Sequence, residues 1–145
     1  ANEIDHPVAE AGHLGYGERC SFSITVNHRE TYTGVTDNDR ALTISSLGDA
    51  AADPEAIDFP RVFRAPGHVH LLRASRYGLA DRRGHTEMGV ALAHEAGRPP
   101  AAVVCEMLDD QTGEALSRAD AQAYARRHDI PYVEGEDLIE VLTER

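Results

Sequence analysis

Between Arg82 and Pro100 the chain is punctuated on both sides of one short apolar run, and this constrains its fold more than any other stretch. Met88-Gly89-Val90-Ala91-Leu92-Ala93-His94-Glu95-Ala96 reads as a helix closed by Gly97, with Pro99 and Pro100 barring its continuation. The residues ahead of it, Arg82-Arg83-Gly84-His85-Thr86-Glu87, therefore sit at or just before a helix N-terminus. They combine cations, a flexible glycine, an imidazole, a hydroxyl and a carboxylate. Free backbone N–H groups and the helix dipole favour a phosphate at such a point. Arg82 or Arg83 can add charge-assisted hydrogen bonds to the same anion. Taken alone, the same residues equally suit a solvated arginine pair followed by a helix capped by Thr86.

The rest of the chain mixes strand and helix signals. Residues before about Gly17 are polar and show no periodicity, whereas Ser21-Phe22-Ser23-Ile24-Thr25-Val26 alternates with period two and reads as a half-buried strand. Thr31 to Val35 is expected to continue extended after a turn. Thr36-Asp37-Asn38-Asp39 resembles a capping box opening a helix from Arg40 to Leu47, and Gly48 to Pro60 reads as an acidic, alanine-rich surface loop. Arg61 to Arg73 holds a strand interrupted at Pro66-Gly67. Ala101 to Leu108 reads as a buried strand, Asp109 to Gly113 as a turn, and Ser117-Arg118-Ala119-Asp120 as a second capping box before a helix to about His128. Ile130 to Val133 is expected to be extended and Glu136 to Thr143 helical. Without a strict βαβ repeat, the expected fold is α+β: one domain with a mixed sheet flanked by helices. A length of 145 residues suits one such domain with a single sizeable core.

Charge narrows the partners. There are 25 acidic residues against 14 basic ones, all arginine, giving a net charge of −11. That balance argues against general nucleic-acid or anionic-membrane binding. High acidity without lysine also suggests a salt-loving source. No apolar run approaches the length that spans a bilayer and no secretory signal opens the chain, so a cytoplasmic location is expected. Cys20 and Cys105 match no metal or redox spacing, and Cys105 reads as a reduced core residue.

Three further features bear on chemistry. His68 follows Pro66-Gly67, and in a strand it would share a face with His70. Glu106 lies within an apolar run, where a carboxylate is costly to bury without a partner. Asp39-Arg40 reads mainly as capping chemistry, although the nearby threonine hydroxyls and helix-start amides could add to a phosphate site. A histidine with one or two carboxylates suits a hard divalent cation such as Mg²⁺ or Mn²⁺. Metal, phosphate and a spare carboxylate together suggest acid–base chemistry on a small phosphorylated substrate.

The combination Arg64-Ala65-Pro66-Gly67-His68, Arg82-x-Gly84-His85-Thr86-Glu87 and Cys105-Glu106 closely resembles the 3,4-dihydroxy-2-butanone 4-phosphate synthase family, with 17 residues from His68 to His85 and 21 from His85 to Glu106. The strand at Ser21 to Val26, Thr33-Gly34-Val35-Thr36 with Asp39-Arg40, and Asp137-Leu138-Ile139 add to the match. The resemblance implies conversion of ribulose 5-phosphate to 3,4-dihydroxy-2-butanone 4-phosphate and formate in riboflavin biosynthesis. It also implies Mg²⁺ or Mn²⁺ as cofactor and a homodimer with active sites at the subunit interface. It makes His85 a metal ligand and sets Arg82, Gly84 and Thr86 on the substrate phosphate. Glu106 and His68 would contact the sugar hydroxyls and carry proton transfer.

Family chains begin with an Arg-Glu-x-Glu-type acidic loop that supplies the other protein ligand to the metal, and that pattern is not found in this sequence. The expectation is a synthase-like domain over residues 1–145, incomplete at its N-terminus, with apolar surface left uncovered. The alternative is a truncated, non-catalytic module of the same fold that binds phosphate or dimerises.

Overall fold

The computed structural model describes residues 22–143. The expectations for the first polar residues, for Cys20 and for Ser21 lie outside them. Strand β1, Phe22–His28, forms where the period-two alternation places β-branched residues. It pairs antiparallel with β2, Phe63–Leu72, and this pair is the whole sheet among the described residues. The fold is α+β as expected, and the pairing described is antiparallel.

The register carries the local feature that matters most. Thr25 pairs with His70 and Val26 with Val69, but Asn27 pairs with Arg64. Residues Ala65 to His68 therefore loop out of the ladder as a bulge, and the Ala65–Pro66 peptide is cis. The expected interruption at Pro66-Gly67 is real, yet the strand resumes on both sides of it. His68 ends the looped-out part and His70 lies in the ladder, and both are exposed on either side of half-buried Val69, the alternation expected of two residues on one strand face.

Helix α1, Asp37–Ala52, starts earlier and ends later than its sequence pattern suggests. Thr36 caps it, its hydroxyl accepting the Asp39 N–H at 3.2 Å. The alanines beyond Gly48 continue the helix instead of forming a loop, as strong helix formers do. A single turn, α2 (Phe59–Val62), then places Pro60 in its first turn and leads into β2. Thr31 to Val35 is a turn and not extended. Gly34 has φ +82°, and the Thr31 N–H bonds the His28 carbonyl at 3.1 Å.

A short 3₁₀ turn at Gly78–Ala80 precedes α3, His85–Glu95. Gly97 beyond α3 takes the left-handed conformation (φ +65°) that its terminating role requires. Ser117 caps α4, Arg118–His128, as the capping box suggests, and α5 spans Gly135–Thr143. The Asp109 to Gly113 turn is present, with the Gly113 N–H on the Asp109 carbonyl at 2.8 Å.

Two expectations fail in the second half. Ala101 to Met107 forms no strand; Leu108 makes an isolated bridge to Ala115, and Val103 is 71% exposed. No neighbouring strand lies beside this run among the described residues, so an apolar composition suited to a sheet interior is left without one. Cys105 is consequently exposed and not a core residue. Ile130 to Val133, expected to be extended, is neither helix nor part of the sheet. Among the described residues the buried apolar core is also small. Its buried apolar members are Val26, Phe63 and Ala125, with Val26 fully buried. Around the sheet, Phe63 packs against Phe59 with ring centroids 4.5 Å apart and meets the His28 ring edge-on at 5.9 Å.

Candidate functional site

The start of α3 is organised around a buried ion pair. Glu87 is 2% exposed, and a carboxylate at that depth requires partners. It has them: Oε2 accepts from Arg82 Nη1 at 2.9 Å and Oε1 accepts the Ser75 N–H at 2.9 Å. The pair thus ties the chain ahead of the 3₁₀ turn, the loop and the first turn of α3 together.

Gly84 is the N-cap residue, with extended backbone and no side-chain cap bond. A Cβ there would lie 2.8 Å from both Arg82 Cζ and Glu87 Oε2, so a larger residue would require the ion pair to shift. Thr86, the expected cap, is instead inside the helix. The first-turn N–H groups of α3 lie beyond the reach of intrahelical bonding and suit an anion. Arg83 and His85 are exposed and Thr86 is half-buried. Arg82, expected on the phosphate, has one guanidinium nitrogen bound to Glu87 while its side chain keeps 17% exposure.

His68 is held from β1. Its backbone N–H donates to Asn27 Oδ1 at 2.8 Å, and Asn27 Nδ2 lies 3.1 Å from His68 Nδ1. Two residues earlier on the same strand, Thr25 Oγ1 accepts the Gly67 N–H at 3.1 Å. The bulge approaches so closely that a Cβ on Gly67 would lie 2.0 Å from the Val26 carbonyl carbon, and one on Gly34 would lie 2.0 Å from Asn27 Nδ2. Arg64, at the bulge's edge, reaches Thr31 with Nη2 at 3.3 Å from its carbonyl.

In the Thr33 to Asp39 segment several amides and both threonine hydroxyls are already bonded within the segment. Asp39 Oδ2 accepts the Gly34 N–H at 2.8 Å and the Thr33 N–H at 3.0 Å, while Oδ1 takes the Tyr32 N–H at 3.4 Å. These bonds, that from Gly34 foremost, hold the Asp39 carboxyl below its ordinary value. The Thr33 hydroxyl also turns to Asp39, and that of Thr36 caps α1.

Glu106 is exposed on the unpaired run and not buried among apolar side chains. Among the described residues no three His, Cys, Asp or Glu side chains gather into a metal site. These residues offer His85 as a single imidazole donor, and do not by themselves fit a bound divalent cation. Two open clefts of about 470 and 360 Å³ flank the sheet and α3, and neither is lined by His68, Arg82, Gly84, His85, Thr86 or Glu106. The structure brings Arg82, Gly84, His85 and Thr86 together at one helix start, and places His68 and Glu106 on separate elements.

Two residues with a part in this arrangement carry no assigned role in the sequence reading: Asn27 and Glu87. The available signals are a lone asparagine in a β-branched strand, and an acid in a helix's first turn with arginine just before it.

Comparison with known proteins gives a consistent result. A family model for 3,4-dihydroxy-2-butanone 4-phosphate synthase matches residues 9–141. The enzyme of that name from Methanothermobacter thermautotrophicus is 53% identical over 127 residues, covering 88% of this chain and 56% of the relative. That of Archaeoglobus fulgidus is 48% identical over 136 residues, covering 92% of this chain and 57% of the relative. The crystal structure of the Candida albicans synthase superposes with a TM-score of 0.74 at 37% identity, over 83% of this chain and 59% of that one. A synthase solved in complex with two magnesium ions gives a TM-score of 0.70 at 31% identity, over 86% of this chain and 61% of that one. The chain spans a little over half the length of these curated relatives. No helix among the described residues is long and apolar enough to cross a membrane. On the extent of the family match and the identity to its archaeal members, the chain belongs to the 3,4-dihydroxy-2-butanone 4-phosphate synthase family.

Proposed function

We propose that this chain carries part of the active site of an enzyme that converts ribulose 5-phosphate to 3,4-dihydroxy-2-butanone 4-phosphate and formate, a lyase step of riboflavin biosynthesis. The observation that carries this reading is the start of α3. There a glycine N-cap, exposed His85, half-buried Thr86 and an arginine anchored by Glu87 converge on a helix N-terminus. Arg82, Gly84 and Thr86 bind the phosphate in this reading, with the first-turn amides supplying fixed donors. Glu106 and His68 contact the sugar hydroxyls and take part in proton transfer. Family membership supports the reaction class.

A divalent cation, Mg²⁺ or Mn²⁺, belongs to the reading with His85 as one ligand, and would acidify the hydroxyls it binds. No group of three possible ligands gathers among the described residues, so this part of the reading rests on the magnesium-bound synthase that the chain resembles. The domain as a whole, residues 1–145, acts as a homodimer in the cytoplasm on a sugar phosphate, with no nucleic-acid or membrane partner. The acidic, lysine-free composition supports a high-salt habitat. Equal melting temperatures in low and molar salt would count against that last point.

The deciding experiment offers ribulose 5-phosphate and Mg²⁺ to the full-length protein and to the 145-residue chain, and measures formate. Formate from the full-length protein, abolished by His85→Ala, is the expected result. Formate from neither would replace the synthase reading with a non-catalytic phosphate-binding or dimerisation module.

A further inference from the structure

Asn27 does more than close the bulge in β2, because its two bonds to His68 are of opposite kinds. A backbone N–H can only donate, so the Asn27 atom 2.8 Å from the His68 nitrogen must be the amide oxygen. That settles the orientation of the side-chain amide without reference to the ring. The other end, 3.1 Å from His68 Nδ1, is then the NH₂ group, which can only donate. Nδ1 must therefore present its lone pair, and in the neutral ring the proton sits on Nε2. Asn27 cannot turn over to reverse this. It is 3% exposed and closely approached by Gly34, and a flip would set NH₂ against N–H and carbonyl against a lone pair. Thr25 grips the preceding residue, so the histidine's backbone and ring are both fixed to one strand.

We propose that Asn27 is a positioning residue that locks His68 in the Nε2–H tautomer, so that His68 meets the substrate as a hydrogen-bond donor. The ring is exposed, and with Nδ1 occupied, Nε2 is the nitrogen available to a ligand. A neutral imidazole N–H aimed at a carbonyl or enediolate oxygen stabilises negative charge developing there. The group that takes the first proton from the sugar must then be another, which in the synthase reading is Glu106. The proposal rests on that reading for its substrate, but the tautomer does not depend on it.

The test uses full-length protein labelled with ¹⁵N-histidine, the His68 signals being assigned by their loss in His68→Gln. The expected spectrum of neutral His68 shows a protonated Nε2 and an unprotonated Nδ1. In Asn27→Asp a carboxylate oxygen faces Nδ1, and the proton is expected to move to Nδ1. Formate production should fall about 100-fold in kcat with KM nearly unchanged, the scale on which loss of one hydrogen-bond donor to a developing oxyanion acts. A wild-type spectrum with Nδ1 protonated would overturn the proposal, and it requires no variant to fold. So would an Asn27→Asp protein with normal kcat. An Nε2–H spectrum in a protein that makes no formate would uphold the lock and remove the synthase reading instead.

Discussion

The bulge Ala65 to His68 and the run Ala101 to Met107 hold two residues expected to work together, His68 and Glu106, yet the chain treats them differently. The bulge is gripped by Thr25 and Asn27, and glycine at 67 lets it lie against the backbone of β1. The start of α3 is gripped in the same manner by the Arg82–Glu87–Ser75 cluster. Ala101 to Met107 has the more apolar sequence but no ladder, and its valines face solvent. His68 and the α3 start are held by polar groups that reach the backbone, whereas the apolar Ala101 to Met107 run finds no neighbouring strand among the described residues and lies instead beside Gly89 of α3.

The largest expected effect comes from removing the buried carboxylate. Glu87→Ala leaves the Arg82 guanidinium and the Ser75 N–H without their shared acceptor. The loss of stability should be about 3–5 kcal/mol, read from urea unfolding. A loss under about 1 kcal/mol would show that the α3 start is held by something else and erase half of the contrast. Next in size is Gly67→Ala. Its Cβ would meet the Val26 main chain, which cannot swing aside as a flexible side chain can. The expected cost is about 1–3 kcal/mol, with a loosened His68. Unchanged stability together with an intact Asn27–His68 signature would mean that the bulge does not need its close approach to β1.

The sequence made the helices legible wherever capping chemistry was local. Thr36 and Ser117 cap the helices their boxes suggest, and Gly97 ends α3. The strand pair was legible too, because β1 alternates and Pro66-Gly67 marks the break. The Ala101 run misled because a strand needs a partner, and periodicity says nothing about whether one is present. In the site, Arg82, Gly84, His85 and Thr86 could be placed at a helix start from neighbouring residues alone. Asn27 could not, since its role arises from contacts across 41 positions of chain; Glu87 had its arginine five positions away as a local signal, and only its bond to Ser75 spans 12.

A smaller effect tests the self-contained Thr33 to Asp39 turn, which is held by polar bonds but is not buried. The Asp39 carboxyl is depressed by the Gly34, Thr33 and Tyr32 amides, so its charged form favours the folded state. Its contribution is present in full above the ordinary aspartate value of 3.8 and is lost as pH falls through the lower, folded value. Asp39→Asn should therefore melt below wild type near neutrality, with the gap narrowing under acid below about pH 4. A gap of constant size from pH 7 to pH 3 would assign the effect to shape and not to charge.

The smallest effect is expected at Val103, and it is the one most able to reverse the contrast. With 71% of its surface exposed in this chain, Val103 has little hydrophobic burial to lose. Val103→Ser should change the unfolding free energy of the 145-residue chain by no more than about 0.5 kcal/mol. A fully buried valine would lose about 1.5–3 kcal/mol, a difference that urea midpoints resolve easily. A loss of that size would mean that the run bearing Glu106 is covered in solution, by another part of the chain or by a second copy. Glu106 would then be as firmly placed as His68, and the two could share a site on equal terms.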